Sequence, residues 1–208
     1  MSLIILDMSG NTIKNNLNIG RWMIDEVAKR DTKKHEIIFK AQLFEKEGNN
    51  VPLNKVIFAN IYQHAKEKGY QMTASVFDIP SLEFLLMFDV PFIKIACRPD
   101  LYWLIGEIPR KIPVYVSVEL RIAKYPNNTP KYENGILLGC VREYPGKLED
   151  YLPNGGGHLI AISDHTVGLE LFRASAPTVW EKHLKLRDST GPDAGPFAIL
   201  PSELDGII

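Results

Sequence analysis

The stretch Gly135-Ile136-Leu137-Leu138-Gly139-Cys140-Val141 is a near-continuous apolar run with the length of one β-strand. A strand that is apolar on both faces is typical of a parallel sheet covered by helices on both sides. Seven further runs rich in β-branched, aromatic and other apolar residues occur along the chain. They are Leu3–Met8, Glu36–Gln42, Tyr70–Val76, Phe92–Ala96, Val114–Val118, His158–Ser163 and Thr178–His183.

Segments with helical periodicity separate several of these strands, with apolar residues three or four positions apart. They are Ile19–Arg30, Leu53–Lys68, Ser81–Phe88 and Thr166–Ser175. Asn54 and Ser81 are predicted to cap two of the helices, and Gly69 to end one of them. Strands that alternate with helices predict a parallel sheet, and eight such units close into a (β/α)₈ TIM barrel.

One segment departs from this alternation. Residues Glu119–Asn134 lack helical periodicity and include Pro126 and Pro130, so we expect a loop where a barrel has a helix after strand 5. The chain has 208 residues, whereas barrels of this type have about 250. We therefore predict an α/β protein with a single compact barrel domain over residues 1–208. An open doubly wound sheet is the alternative architecture.

Composition excludes several classes of protein. Apolar residues make up 45% of the chain and charged residues 24%, which are ordinary globular values. The 24 Lys and Arg residues against 25 Asp and Glu residues argue against a partner that is a nucleic acid or a membrane surface. No apolar stretch approaches the roughly 20 residues that span a bilayer, and the amino terminus lacks the features of a signal peptide. Cys97 and Cys140 are too few for a disulfide framework. These features predict a cytoplasmic protein.

Polar side chains occur at the carboxyl end of every predicted strand, where a TIM barrel has its active site. They are Asp7, Asn11, Lys40, Gln42, Ser75, Asp78, Lys94, Ser117, Glu119, Arg142, Tyr144, Ser163, Asp164, His165, Glu181, Lys182 and His183.

Two of these residues, Lys40 and Lys94, lie within apolar runs. Burial of an ammonium group without an anion costs several kcal/mol. The two lysines therefore indicate an anion site, to which Ser75, Ser117 and Ser163 could add hydroxyl donors. The alternative is that each lysine reaches solvent or pairs with a carboxylate.

His165 and His183 follow neighbouring predicted strands, so their imidazoles could converge on one divalent cation. The alternative is one structural and one surface histidine. Other chemistries lack their motifs, because the sequence has no Walker-type glycine-lysine loop, no Gly-x-Gly-x-x-Gly after a strand and no Cys-x-x-Cys.

Four ordered motifs together resemble one enzyme family. They are Ile162-Ser163-Asp164-His165-Thr166-Val167-Gly168, Glu181-Lys182-His183-Leu184, Gly191-Pro192-Asp193 and Pro201-Ser202-Glu203-Leu204. In these motifs the chain resembles the sialic acid synthases, the N-acetylneuraminate synthase family of (β/α)₈ enzymes that condense phosphoenolpyruvate with a sugar. The resemblance extends across nearly the whole chain.

The resemblance implies a role for each matching residue. His165 and His183 would be catalytic metal ligands, with Mn²⁺ as the family's usual ion and Mg²⁺ as an alternative, and Asp7 would be the catalytic carboxylate. Five residues would bind the phosphate and carboxylate of phosphoenolpyruvate, namely Lys40, Ser75, Lys94, Ser117 and Ser163. The other substrate-binding residues would be Asn11, Gln42, Arg142, Tyr144 and Asp193.

The chain also departs from the family's pattern. Asp7 replaces a glutamate, which shortens the reach of the carboxylate by one methylene group. Cys97 replaces a phosphate-binding serine, and Arg142, where the family has Asn or Ser, could compensate because a guanidinium binds phosphate bidentately. Glu119 replaces a small residue beside Ser117. The family implies a homodimer, but we expect a shortened member that lacks the carboxy-terminal antifreeze-like domain, which reaches across the dimer to the sugar.

The expected activity is a metal-assisted condensation of phosphoenolpyruvate with an aldehyde sugar similar to N-acetylmannosamine. Its products would be a 2-keto sugar acid of the sialic acid type and phosphate. Two alternatives remain: a metal-dependent barrel aldolase or lyase with a different substrate, suggested by Glu119 and Arg142, and a non-catalytic binding protein on the same scaffold, suggested by Asp7 and Cys97.

Overall fold

A computed structural model of the chain describes residues 1–120, 135–152 and 160–208. Eight parallel strands form a closed barrel in which each strand bonds to the next and β8 bonds to β1. The strands are β1 Leu3–Asp7, β2 Glu36–Leu43, β3 Gln71–Val76, β4 Ile93–Ile95, β5 Val114–Glu119, β6 Gly135–Cys140, β7 Ala161–Asp164 and β8 Val179–His183. The predicted (β/α)₈ barrel is confirmed, and the open doubly wound sheet is wrong.

Helices cover the outside of this barrel unevenly. The α-helices are α1 Gly10–Ile13, α2 Leu17–Ala28, α3 Lys55–Glu67, α4 Ile79–Leu85, α5 Leu148–Tyr151 and α6 Glu170–Ser175. In the described ranges, 3₁₀ segments occupy Pro99–Glu107, Pro192–Ala194 and Pro201–Leu204. The connection after β4 is therefore a 3₁₀ segment in place of an α-helix.

The helix ends test the capping residues and helix boundaries that were predicted from the sequence. The Asn54 side chain accepts hydrogen bonds from the amides of Val56 and Ile57, which confirms the predicted cap of α3. The predicted cap at Ser81 is wrong: Asp78 caps α4, and its carboxylate accepts from the Ser81 amide. The helix predicted over Thr166–Ser175 forms only from Glu170 onward.

Two predictions fall partly outside the described residues. Of the predicted loop 119–134, Glu119 ends β5 and residue 120 forms a turn, whereas residues 121–134 are not among those described. Likewise, residues 158 and 159 of the predicted seventh strand lie outside the described ranges. Within the ranges that are described, the helices are too short or too polar to cross a lipid bilayer.

The alternating sides of the strands divide the apolar residues between two cores. Residues on the outer side pack against the helices in the larger core, as Phe39 and Trp180 do. A smaller cluster lies inside the barrel and forms its apolar floor, namely Ile5, Ile38, Phe92, Leu138 and Val179. Because the side-chain period of a strand is two residues, the residues two positions further along also face inward, above this floor.

A buried ion pair lies between the strands and the helices, on the outer face of the barrel. Lys182 Nζ lies 3.1 Å from Asp164 Oδ2, and both side chains are fully buried. The Asp164 carboxylate also accepts from the Trp180 indole at 2.9 Å and from the Thr166 amide at 2.8 Å. Asp164 and Lys182 therefore join β7 to β8 on the helix side of the barrel, while their neighbours in sequence face the interior.

The start of α1 allows one test of this packing. A Cβ at Gly10 would lie 2.2 Å from the Val51 carbonyl oxygen, so a side chain there would force the backbone apart. We expect Gly10→Ala to lower the free energy of unfolding by about 2 kcal/mol, measured by urea denaturation. Gly106→Ala is the matched control, because no atom lies within 4 Å of the added Cβ. Equal stability of the two variants would contradict this account.

Candidate active site

A cavity of about 420 Å³ opens at the carboxyl ends of the barrel strands. All predicted site residues except Asn11 line it, namely Asp7, Lys40, Gln42, Ser75, Lys94, Ser117, Arg142, Tyr144, Ser163, His165, His183 and Asp193. Residues from β1 to β8 thus meet in one space. The closed barrel brings them together, because every parallel strand delivers its carboxyl end to the same face.

Lys40 and Lys94 form the cationic base of the cavity, and each is only 2% exposed. Lys40 Nζ donates to Ser75 Oγ at 2.9 Å, and Lys94 Nζ donates to Ser117 Oγ at 2.6 Å. Because each hydroxyl accepts from a lysine, its own hydrogen remains available to a further acceptor. The base of the cavity therefore presents two ammonium groups and two oriented hydroxyls.

Glu181 also lines the cavity; the sequence placed it at the end of a strand, but no role was predicted for it. Its carboxylate lies 3.4 Å from Lys40 Nζ and 3.4 Å from Lys94 Nζ. Burial alone would raise the pKa of Glu181, but the charges of Lys94 and Lys40 outweigh it and lower the pKa to about 2. The available signal was its place two residues before His183 on one strand, which puts both side chains on the same face.

Burial of Lys40 opposes its protonation, yet the neighbouring Asp7 and Glu181 carboxylates outweigh this effect and raise the Lys40 pKa. Asp7 Oδ2 lies 3.0 Å from Lys40 Nζ and accepts from Gln42 Nε2 at 2.9 Å. Asp7 Oδ1 is buried and has no hydrogen-bond partner within the described part of the chain. One oxygen of this carboxylate is thus anchored and the other is available.

The two histidines hold their imidazoles differently. His165 Nδ1 contacts the Val141 carbonyl oxygen at 2.5 Å, so this nitrogen carries the hydrogen. Nε2 carries the lone pair, and Ser163 Oγ lies 3.5 Å from it. Burial, followed by the charge of His183, lowers the pKa of His165 to about 3, which keeps the ring neutral. His183 Nδ1 is buried without a hydrogen-bond partner in the described ranges, 3.6 Å from Asp7 Oδ2 and 3.8 Å from Asp193 Oδ1.

The two imidazoles lie close enough together for one cation to contact both. Their ring centres are 5.8 Å apart. A metal–nitrogen bond of about 2.1 Å places an ion about 3 Å from each ring centre, so one ion could contact both rings. The hydrogen bond to Val141 is the kind of outer contact that orients a ligand histidine. Among the described residues, no group of three or more His, Cys, Asp or Glu side chains is placed to hold a metal ion.

Aromatic rings enclose the histidine pair. Tyr144 stacks on His165 with ring centres 4.0 Å apart. Phe197 packs edge-on against both Tyr144 and His183, at 4.9 Å and 5.1 Å. Phe197 was not expected from the sequence, since an isolated aromatic residue in a predicted loop carries no site signal. These contacts restrict the orientations of the two imidazoles.

The mouth of the cavity contains an ion pair that the sequence did not indicate. Arg98 donates to Glu47 Oε1 at 2.7 Å, and both residues line the cavity together with Asn50. Asn11 lies behind this part of the wall and does not line the cavity. Its amide donates to Asn50 and to Asp193 instead. Side chains on long loops are brought together only by tertiary packing, so no local spacing could have paired them.

Cys97 and Cys140 occupy another part of the site. Both thiols are free, and Cys97 lines the cavity whereas Cys140 is buried. A hydrogen bond from Cys140 lowers the pKa of Cys97, and the same pairing together with burial raises the pKa of Cys140. Glu119, beside Ser117, accepts a hydrogen bond from the Arg142 amide at 3.2 Å. The arginine backbone therefore offsets part of the extra negative charge there.

The contacts of Glu181 lead to a prediction for stability. We expect Glu181→Gln to lower the free energy of unfolding by about 3 kcal/mol at neutral pH, because it leaves two buried ammonium groups without this carboxylate. Since the pKa of Glu181 is depressed when folded, its contribution is present above the unfolded value of 4.5 and is lost as the pH falls toward about 2. The difference between wild type and variant should shrink through this window.

Urea denaturation over a series of pH values would measure this effect. Glu36→Gln is the matched control, because Glu36 is exposed at the opposite end of the barrel. We expect that control to change stability by less than about 0.5 kcal/mol. A Glu181→Gln protein as stable as wild type at neutral pH would show that the lysines do not depend on this carboxylate.

Comparison with known proteins agrees with this architecture. The model of the NeuB family matches residues 19–208. The structure of N-acetylneuraminic acid synthetase from Leptospira borgpetersenii, in complex with citrate, superposes with a TM-score of 0.72 at 24% identity, covering 97% of this chain and 79% of that chain. A spore coat polysaccharide biosynthesis protein from Bacillus subtilis gives a TM-score of 0.73 at 17% identity, covering 98% and 65%.

A more distant barrel has the same fold. A truncated 3-deoxy-D-arabino-heptulosonate 7-phosphate synthase from Thermotoga maritima superposes with a TM-score of 0.64 at 10% identity, covering 99% of this chain and 82% of that chain. A search of curated proteins finds no match. At these levels of identity the solved structures demonstrate a common fold, whereas the family model matches most of the sequence itself.

Proposed function

Because the chain belongs to the NeuB family, we propose that it condenses phosphoenolpyruvate with an aldehyde sugar to give a 2-keto sugar acid and phosphate. The observation that carries this proposal is the pair of buried lysines, Lys40 and Lys94, each bonded to a serine at the base of the cavity. Two ammonium groups and several hydroxyls suit a small ligand with two anionic groups. Phosphoenolpyruvate, with a phosphate and a carboxylate, is such a ligand.

The charges in the cavity favour binding of phosphoenolpyruvate together with a cation. In the free protein, Lys40 and Lys94 face the carboxylates of Asp7 and Glu181, so these four charges nearly cancel. A ligand with several negative charges would add a net negative charge to a buried space, which is unfavourable unless it is compensated. The guanidinium of Arg142 and a divalent cation at His165 and His183 would supply this compensation.

His165 and His183 would hold the cation, for which we propose Mn²⁺, with Mg²⁺ as the alternative. When bound, such an ion supplies a Lewis acid for the carbonyl oxygen of the aldehyde. The neutral His165 ring presents its Nε2 lone pair for this purpose, and the cation would replace the contact of Nε2 with Ser163 Oγ at 3.5 Å. Tyr144, stacked on that ring, would keep its orientation fixed while substrates enter.

The reaction would proceed by attack of C3 of phosphoenolpyruvate on the aldehyde carbon, and the alkoxide formed at the aldehyde oxygen would take a proton from solvent. Water would then add at C2. Asp7 would orient this water and accept its proton through the unpartnered Oδ1, while Lys40 and Gln42 hold Oδ2. Collapse at C2 would break the bond to the phosphate oxygen, form the 2-keto group and release phosphate. Lys40 and Lys94 would stabilise the departing charge.

Calorimetric titration tests the donor site directly. We expect phosphoenolpyruvate to bind the Mn²⁺-loaded protein and Lys94→Ala to weaken that binding at least about 30-fold, because a buried charge partner of the ligand is lost. His165→Ala should abolish the heat of Mn²⁺ binding measured without phosphoenolpyruvate. Phosphate release with N-acetylmannosamine then measures turnover.

Lys55→Ala serves as the control, because this exposed lysine at the start of α3 lies outside the cavity. Its affinity for phosphoenolpyruvate should equal that of the wild type. Absence of phosphoenolpyruvate binding by the folded, metal-loaded wild type would reject the proposed reaction. Binding without phosphate release for any aldehyde sugar would instead favour a non-catalytic binding protein.

A further inference from the structure

Asn11 lies where two loops meet over the cavity, and its side chain is nearly fully buried, at 4% exposure. It belongs to α1, directly after β1. On one side is the loop between β2 and α3, which contains Asn50 and Val51. On the other side is the segment after β8, which contains Asp193. The Asn11 side chain forms hydrogen bonds to both loops.

The hydrogen bonds fix the orientation of the Asn11 amide. The Val51 amide donates to Asn11 Oδ1 at 2.9 Å, so this atom must be the oxygen. Asn11 Nδ2 therefore faces the other way, where it donates to Asn50 Oδ1 at 2.9 Å and to Asp193 Oδ2 at 2.6 Å. Both hydrogens of the amide and its oxygen are engaged by the protein itself.

This arrangement determines which atoms Asn50 and Asp193 offer to the cavity that they line. Asn50 uses its oxygen on Asn11, so its NH₂ group remains as a donor. Asp193 uses Oδ2 on Asn11, so Oδ1 remains as an acceptor, 3.8 Å from His183 Nδ1. A ligand hydroxyl can accept a hydrogen bond from the Asn50 NH₂ group and donate one to Asp193 Oδ1. The pair therefore suits a polyhydroxylated ligand.

Close backbone packing holds both loops against Asn11. A Cβ at Gly10 would lie 2.2 Å from the Val51 carbonyl oxygen, so glycine lets the first loop approach. Gly191 has a φ of +98°, and its added Cβ would lie 3.4 Å from Asn11 Cβ. The first loop is therefore packed closely against the start of α1, and the second loop lies in van der Waals contact with Asn11.

We propose that Asn11 is a positioning residue that orients Asn50 and Asp193 as a donor–acceptor pair for the hydroxyl groups of the aldehyde substrate. It acts through these two residues and does not bind substrate itself. The identity of the ligand as a polyhydroxy aldehyde rests on the proposed function, whereas the positioning of Asp193 by Asn11 does not.

Asn11→Asp is the sharpest test, because it retains the acceptor for Val51 and replaces only the donor group with an oxygen that faces the Asp193 carboxylate. With Mn²⁺, phosphoenolpyruvate and N-acetylmannosamine, we expect KM for the sugar to rise at least about tenfold and KM for phosphoenolpyruvate to change less than about twofold. An equal rise in both KM values would indicate general damage to the site and would overturn the proposal.

A double-mutant cycle tests whether Asn11 acts through Asp193. In Asp193→Asn, the amide at position 193 can donate to a carboxylate at position 11, so the pair is restored with reversed polarity. In Asp193→Asn alone, the oxygen of residue 193 accepts from Asn11 and its NH₂ group faces the sugar, whereas in the double variant the oxygen again faces the sugar as an acceptor. We therefore expect Asn11→Asp to lower KM for the sugar in this background, relative to Asp193→Asn alone. The same tenfold cost in both backgrounds would show that Asn11 does not act through Asp193.

Asn16→Asp is the matched control: Asn16 is exposed, caps α2, and can be replaced by another good capping residue. Both of its KM values should equal those of the wild type. A crystal structure of Asn11→Asp provides a readout that needs no activity, and we expect the Asp193 carboxylate to turn away from position 11. An unmoved carboxylate would overturn the positioning role. A wild type without sugar-dependent turnover would overturn the proposed function and the sugar-binding role, while the crystal structure would still decide the positioning.

Discussion

Two ammonium groups buried inside a barrel impose the main constraint on this protein. Lys40 and Lys94 extend from β2 and β4 into the interior, where an uncompensated charge is costly. Compensation comes from across the barrel, since Glu181 on β8 contacts both lysines and Asp7 on β1 contacts Lys40. The barrel must therefore close in the correct register for these charges to meet. The order and register of the strands therefore determine whether the buried charges are compensated.

The interior of the barrel is layered because of the same constraint. The apolar floor formed by Ile5, Ile38, Phe92, Leu138 and Val179 excludes water below the charges. Asp7, Lys40, Lys94 and Glu181 each follow a floor residue by two positions. Because side chains two positions apart lie on the same face of a strand, these four also point into the barrel, above the floor. A low-polarity floor strengthens the interactions directly above it. An incoming dianion would exchange lysine–carboxylate contacts for lysine–ligand contacts, which requires no large rearrangement of the base.

The upper half of the cavity is built on different principles. The residues at the base of the cavity belong to strands, whereas those at its mouth belong to loops. At the mouth, Arg98 pairs with Glu47, and Asn11 forms hydrogen bonds to two loops. Rigid strands suit the donor half of the proposed reaction, in which fixed charges must meet a small anion. Loops held by single side chains suit the half that must recognise a particular sugar. Of the departures from the sialic acid synthase pattern, Cys97 and Arg142 line the cavity, and Glu119 accepts a hydrogen bond from the Arg142 amide.

The sequence by itself determined the strand pattern, the barrel and many of the residues that line the cavity, because hydrophobic periodicity and strand-end position are local properties of the chain. Helix boundaries at α4 and α6 were less well predicted, since capping by Asp78 and the late start at Glu170 depend on the neighbouring loops. Only the tertiary structure decided that Glu181 pairs with both lysines and that Asn11 faces Asn50 and Asp193 rather than the cavity. These contacts join residues far apart in sequence, and a long-range contact is fixed by closure of the barrel, which no local spacing encodes.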